Sequence, residues 1–262
     1  MRRGVEEGLV ARAKRWICGR GVWSFKVLFK PYDVYDEVFE DPDYLWVLLL
    51  FVLTGLSAGL SYVLLQATKI IYYDVEVGES FTFVDIYGWP MTTLMNFISN
   101  TVSLGINFLI TAVILYLSSW LLGGERSFPG TILCVGFSFT AYIISSLLQV
   151  ILLPFVPDVT YRITSRIEVL TLLSSIQAVK HQIAVWNSLD RLNVIADEVW
   201  RNSIIVQASN ILFYAFPIWV ITVSGIGVGK LAELDRGRTL IMQGITVLAW
   251  MLIYVTIPRI IG

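Results

Sequence analysis

The chain is poor in the residues from which most active sites are built. It has one histidine, His181, and two cysteines, Cys18 and Cys134. A Cys/His metal cluster therefore cannot be assembled, and no Ser/His/Asp or Cys/His catalytic set can be drawn. The two cysteines fall on segments expected to lie far apart, so a disulfide between them is not expected. Asp, Glu, Lys and Arg together make up only 15% of the residues and the net charge is −1, which leaves no global field to recruit nucleic acid or an acidic substrate. The first 30 residues lack a continuous apolar stretch of about 7 to 15 residues, so a cleavable signal peptide is not expected.

The most informative absence is local. Five long stretches contain no Asp, Glu, Lys, Arg or His: about 45–68, 91–122, 129–153, 203–228 and 239–257. Each is close to the roughly 20 residues of helix that cross a hydrocarbon layer, where every backbone N–H and C=O must be paired within the segment. Apolar residues reach 56% of the chain and the mean hydropathy is +0.72, whereas soluble globules hold about 45–50%. The expected fold is all-α: a polytopic membrane protein with a five-helix transmembrane bundle. An amino-terminal arm over 1–44 precedes a membrane domain over 45–258, which includes an external loop over 154–202.

Orientation follows the positive-inside bias. With the amino terminus in the cytoplasm, the inside segments carry twelve basic residues, eight of them in the first 30, and the outside carries seven. Five of those seven lie in the one long loop, whose length weakens its vote. The loop after the first span reads acidic, with Asp74, Glu76, Glu79 and Asp85. The protein is expected in the cell membrane with a cytoplasmic amino terminus and an external carboxyl terminus, and the lipid bilayer is its first partner.

Two further helices are expected outside the spans. Between Pro31 and Pro42, Val34 and Val38, then Tyr35 and Phe39, repeat at four-residue spacing among acidic residues, which suits a short interfacial helix. In the long loop Val169, Leu172, Ile176, Val179, Ile183 and Trp186 step by three and four, the mark of an external amphipathic helix. That helix lies on the bundle or headgroups, or forms a surface for a partner or a second copy.

Polar side chains within the spans are aligned. Asn96, Asn100, Ser103 and Asn107 share one face of the second span; Ser138, Tyr142, Ser145 and Gln149 are in the same kind of register in the third, and Ser203, Gln207 and Asn210 in the fourth. Amides facing lipid would be left unpaired, so Asn96, Asn100, Asn107, Gln149, Gln207 and Asn210 form a candidate polar bundle face. They either hold helices together by hydrogen bonds or line a polar path or small-molecule site. No ionisable group sits at membrane depth, which disfavours proton coupling. Gly55 and Gly59 form a G-x-x-x-G pair, suited to packing within the chain or to homo-oligomerisation. The string Gly225, Gly227, Gly229, Lys230 lacks the spacing, the following Ser or Thr and the preceding strand of a phosphate loop; its glycines are read as helix packing or a helix end.

Specific residues then suggest a family. The segment Phe29-Lys30-Pro31-Tyr32, continuing through Val38-Phe39-Glu40-Asp41-Pro42-Asp43-Tyr44, resembles the entry of the Yip domain in its prokaryotic members. The turn Gly124-Glu125-Arg126-Ser127-Phe128 and the string Gly136-Phe137-Ser138-Phe139 are similar to that family's small loop and glycine-aromatic signature, although Thr140 and Ala141 stand where a proline is usual. Ala232 to Leu240 resembles the family's closing hairpin. Asp85-Ile86-Tyr87-Gly88-Trp89-Pro90 is similar to a string of eukaryotic members, but precedes a different span and is not carried over. The resemblance implies a five-helix bundle with a cytosolic amino terminus. Eukaryotic relatives engage Rab-type small GTPases and other Yip proteins, a role not transferred to a prokaryotic-type chain. It points to a non-enzymatic scaffold or interaction protein that engages a membrane or cytosolic protein partner, with no cofactor; the alternative is a small permease or channel component using the polar face.

Overall fold

The computed structural model describes residues 16–75, 77–125, 127–163 and 203–253. The fold is all-α with one small sheet. In chain order the elements are a helical segment over 16–26 (α1), Pro31–Glu40 (α2), Tyr44–Thr68 (α3), strands Ile70–Asp74 (β1) and Glu79–Thr82 (β2), and Phe83–Tyr87 (α4). Then come Trp89–Leu121 (α5), Phe128–Ser138 (α6), Thr140–Leu152 (α7), Val159–Ile163 (β3), Ile204–Leu231 (α8) and Arg236–Met251 (α9). Four helical stretches are long and apolar enough to cross a membrane: Tyr44–Thr68, Trp89–Leu121, Phe128–Phe155 and Ile204–Leu231. These coincide with the first four uncharged runs. The fifth run is helical from Arg236 to Met251, and its last residues lie outside the described ones. The amphipathic pattern over 169–186, with His181, also lies outside them.

The chain divides into two compact units. One comprises Met1–Gly55, Thr101–Ile144 and Ala215–Gly262; the other comprises Leu56–Asn100 and Ser145–Tyr214.

In the first unit the third span is not one continuous helix. It breaks at Phe139, between α6 and α7. No proline forces the break; the Thr140 hydroxyl donates to the Phe137 carbonyl at 2.9 Å, and the Phe139 ring packs edge-on against Phe108 and Tyr142, with centroids 5.2 and 5.0 Å away. Ser127 opens α6 as an N-cap, its hydroxyl accepting from the Gly130 N–H at 3.2 Å. Asp235 does the same for α9 through the Arg238 N–H at 2.9 Å. The glycines of α8 are packing positions. A Cβ at Gly225 would meet Gln243 and one at Gly229 would meet Thr239, so this pair, one turn apart, seats α9 against α8. Gln243 then donates from Nε2 to the Thr222 carbonyl at 2.8 Å.

In the second unit two strands of the acidic loop after α3 join one strand from the start of the 154–202 loop in a sheet of order β2-β1-β3, where the sequence predicts only loops. β1 pairs antiparallel with β2 and parallel with β3. Tyr72 lies opposite both Phe81 and Tyr161, so three aromatic rings cover one face. Lys69 ties the strand ends together: its carbonyl accepts from the Val159 N–H at 2.8 Å, and its ammonium meets Asp158 at 2.9 Å. α3 and α5 approach closely at Gly59, where a Cβ would stand 3.0 Å from the Phe97 Cα and 3.1 Å from its backbone nitrogen. The small residue thus serves packing within the chain.

Candidate functional site

A polar constellation lies within the first unit, where the arm meets α6 and α8. Pro31 starts α2, with its fixed φ suited to the first turn. The four-residue spacing of apolar positions then gives the helix one fully buried face: Val34, Tyr35 and Val38 are all 0% exposed. That face packs on protein. The Tyr35 hydroxyl donates to the Cys134 carbonyl of α6 at 2.9 Å and lies 3.1 Å from Ser138 Oγ, which itself donates to the same carbonyl at 2.7 Å. Gly227 of α8 makes room for the ring, since a Cβ there would come within 2.7 Å of two ring carbons and 2.8 Å of Cys134 Sγ. Burial, and then the neighbouring Cys134, push the Tyr35 phenol well above its ordinary value, so it stays protonated as a donor.

Around this peg lie ion pairs. Lys230, in the last turn of α8 where the dipole favours a cation, donates to the Tyr32 carbonyl at 2.8 Å and meets Asp36 at 2.5 Å. Lys26 faces Glu37 at 3.6 Å. The buried Arg20 of α1 pairs with Asp41 and, at 3.3 Å, with Asp43, while stacking over Trp23 at 4.3 Å.

The acidic-proline-acidic step at Asp41-Pro42-Asp43 gains a physical meaning here. One Asp43 oxygen accepts from the Trp46 N–H at 2.9 Å, capping α3, and the other accepts from the Trp16 indole at 2.6 Å. Trp46 in turn donates from its indole to Ser24 Oγ at 2.7 Å and packs edge-on against Trp16. One carboxylate thus joins α1 to the start of the first span.

The polar residues singled out within the spans are found mostly in hydrogen bonds between or along helices. In the second unit Asn96 Nδ2 donates to Gln66 Oε1 at 3.0 Å and to the Thr92 carbonyl at 2.9 Å, and Asn100 Nδ2 donates to the Asn96 carbonyl at 2.8 Å. Gln149 Oε1 accepts from Ser61 Oγ at 3.4 Å. It lines a cavity of about 220 Å³ with Ser61, Leu65, Leu152, Val206 and Ser209. Gln207 is exposed on α8, and the side chain of Asn210 lies outside the described residues. In the first unit Asn107 Nδ2 donates to the Tyr142 hydroxyl at 3.3 Å and its Oδ1 accepts from Thr111 Oγ1 at 3.4 Å. Gly55 is buried within the first unit.

In the sequence Tyr35, Ser138 and Gly227 belong to three different patterns, successive members lying about a hundred positions apart, and nothing local records their pairing. The signal present in the sequence is the coincidence of an aromatic with a polar tip on a short helix and a glycine inside an apolar span.

Comparison with curated proteins and with solved structures finds no match. The family model described as the Yip1 domain matches residues 25–257, from the end of α1 through all the remaining elements. That is well over half of the chain, and it includes the Asp41-Pro42-Asp43 step and the Tyr35 peg: the chain belongs to the Yip1 domain family of membrane proteins.

Proposed function

We propose that the protein is a non-enzymatic membrane scaffold of the Yip type, in which a membrane domain over 45–258 holds the arm over 1–44 in a fixed orientation for a protein partner or for organising the bilayer. The observation that carries this reading is the docking of α2. Its apolar face is consumed by Tyr35 and its neighbours, and Tyr32, Asp33, Asp36, Glu40 and Asp41 are left exposed. A rigid helix showing carboxylates outward suits a basic partner surface better than a flexible tail would, because less ordering entropy is lost on binding. Among the described basic residues, Arg20, Lys26, Lys30, Lys230, Arg236 and Arg238 belong to the first unit, against Lys69 and Arg162 in the second. This distribution supports a cytoplasmic arm, and an odd number of spans would then put the carboxyl terminus outside.

The test is affinity capture from native membranes with the full chain, an arm-deleted chain starting at Pro31, and a D33N/E40Q/D41N variant. The scaffold reading expects partners to be lost from both altered chains. Unchanged capture and unchanged membrane organisation with all three would refute it. Reporter fusions at the two ends test the orientation, which requires opposite compartments.

A second reading, a small permease or channel component, draws on the 220 Å³ cavity beside Gln149 and on the aligned amides. Its test is flux in proteoliposomes after replacing Asn96, Asn100 and Asn107 with leucine; unaltered flux removes it.

A further inference from the structure

Helix α1 lies almost wholly before the family match, which begins at residue 25, and its two faces differ sharply. Arg20, Ser24 and Val27 are 7%, 1% and 0% exposed and look into the first unit. Buried contacts fix that rotation: the Trp46 indole reaches Ser24, and Arg20 is held by Asp41 and Asp43. The other face carries Cys18, Val22 and Phe25 at steps of four and three, with Ile17 beside them and Phe29 in the turn that follows. Val22 is 61%, Phe25 50% and Phe29 71% exposed. An apolar stripe of this size, held outward by the packing behind it, cannot turn away from whatever surrounds it.

We infer that this stripe is an in-plane membrane anchor, seated at the boundary between acyl chains and headgroups, and that the occupant is lipid. The stripe runs into the surface of a candidate span. The Phe29 ring packs edge-on against Trp219 at 5.8 Å, and the Trp219 indole donates to the Leu28 carbonyl at 3.3 Å. Trp219 belongs to α8, Ile204–Leu231, one of the helices long and apolar enough to cross the bilayer. Trp219 lies near the middle of that helix, so the end of α1 is held against a candidate span and the stripe is carried to the bilayer with it. Lys26 and Lys30 flank the stripe on its Phe25–Phe29 side, in reach of headgroup phosphates, and the same pair disfavours a second copy of the stripe as occupant.

Cys18 provides the probe. It is exposed on the stripe while Cys134 is buried, so a thiol-reactive bimane should label Cys18, and C18S should stay unlabelled. The labelled full chain is placed in proteoliposomes of phosphatidylcholine and phosphatidylglycerol containing lipids brominated at shallow acyl positions. Strong quenching by bromolipid, with little quenching by aqueous iodide, is expected. The V22D/F25D variant should lose bromolipid quenching at least five-fold and gain iodide quenching, while F25L keeps the wild-type pattern. Comparable thermal melting of the three chains shows that the inner face of α1 still packs. Iodide quenching of the wild type with no bromolipid effect would overturn the anchor. So would Cys18-to-Cys18 cross-linking between chains, which would assign the stripe to a second copy. A chain that kept Cys18 in lipid yet captured no partner would uphold the anchor and sink the scaffold reading.

Discussion

Replacing Tyr35 with alanine should release α2 from α6 and α8, and the geometry sets the size of the effect. The ring is fully buried, between Cys134, Ser138 and the space left by Gly227. Emptying such an aromatic site costs about 3–5 kcal/mol. At about 1.4 kcal/mol per tenfold, the undocked population should rise on the order of a hundred- to a few-thousand-fold. Tyr35→Phe keeps the ring and removes one hydroxyl, worth about 0.5–1.5 kcal/mol, or roughly 2- to 12-fold; Ser138 still donates to the Cys134 carbonyl. Gly227→Ala attacks the same contact from the other side. The new methyl gains about 1 kcal/mol of helix propensity and loses about 1–3 kcal/mol to overpacking, so the net effect is mildly destabilising. In the Tyr35→Ala background the ring is gone and only the Cys134 Sγ contact remains, so Gly227→Ala should cost less than it does in the wild type, a coupling that independent sites would not show. Amide hydrogen exchange over 31–40 in nanodiscs measures all four chains. If Tyr35→Ala left that exchange unchanged, or Tyr35→Phe matched it, the docking account would fail.

Asp43→Ala should cost about 3 kcal/mol, because the buried Arg20 loses a counter-ion and the Trp16 and Trp46 donors lose their acceptor; Asp41→Ala, at a 74% exposed carboxylate, should cost under about 1 kcal/mol, and thermal melting in detergent compares them. Burial raises the Tyr35 pKa, so the folded state keeps a proton that the unfolded state gives up near pH 10. Docking of α2 should therefore be constant below about pH 10 and weaken as pH rises beyond it, and Tyr35→Phe should abolish that dependence in the exchange measurement. Gly59→Ala should destabilise the second unit by about 1–3 kcal/mol, since the Phe97 backbone cannot yield as a flexible side chain would; melting unchanged from wild type would show that α3 and α5 can separate freely there. Asn96→Leu and Asn107→Leu should each cost about 0.6–2 kcal/mol, the range for hydrogen bonds between membrane helices.

Local composition is enough to locate the four candidate spans and the helix that begins the fifth uncharged run, because the cost of placing a charge or an unpaired backbone group in hydrocarbon falls residue by residue and leaves uncharged runs behind. The same holds for α2, whose four-residue spacing and bracketing prolines are written within twelve positions. The sequence was silent where a partner lies far along the chain. Pairing of Ile70–Asp74 with Val159–Ile163 joins two five-residue strands 89 positions apart in register, and neither is long enough to announce itself. Alignment of Asn96 and Asn107 on one face was legible, whereas their satisfaction by Gln66 and Tyr142 depended on which helices came together. The apolar face of α2 was equally visible, yet whether lipid or protein would cover it turned on a cavity formed by Gly227, Cys134 and Ser138. Periodicity tells a segment which side must leave water, and only packing, which compares distant surfaces for fit, supplies what meets it there.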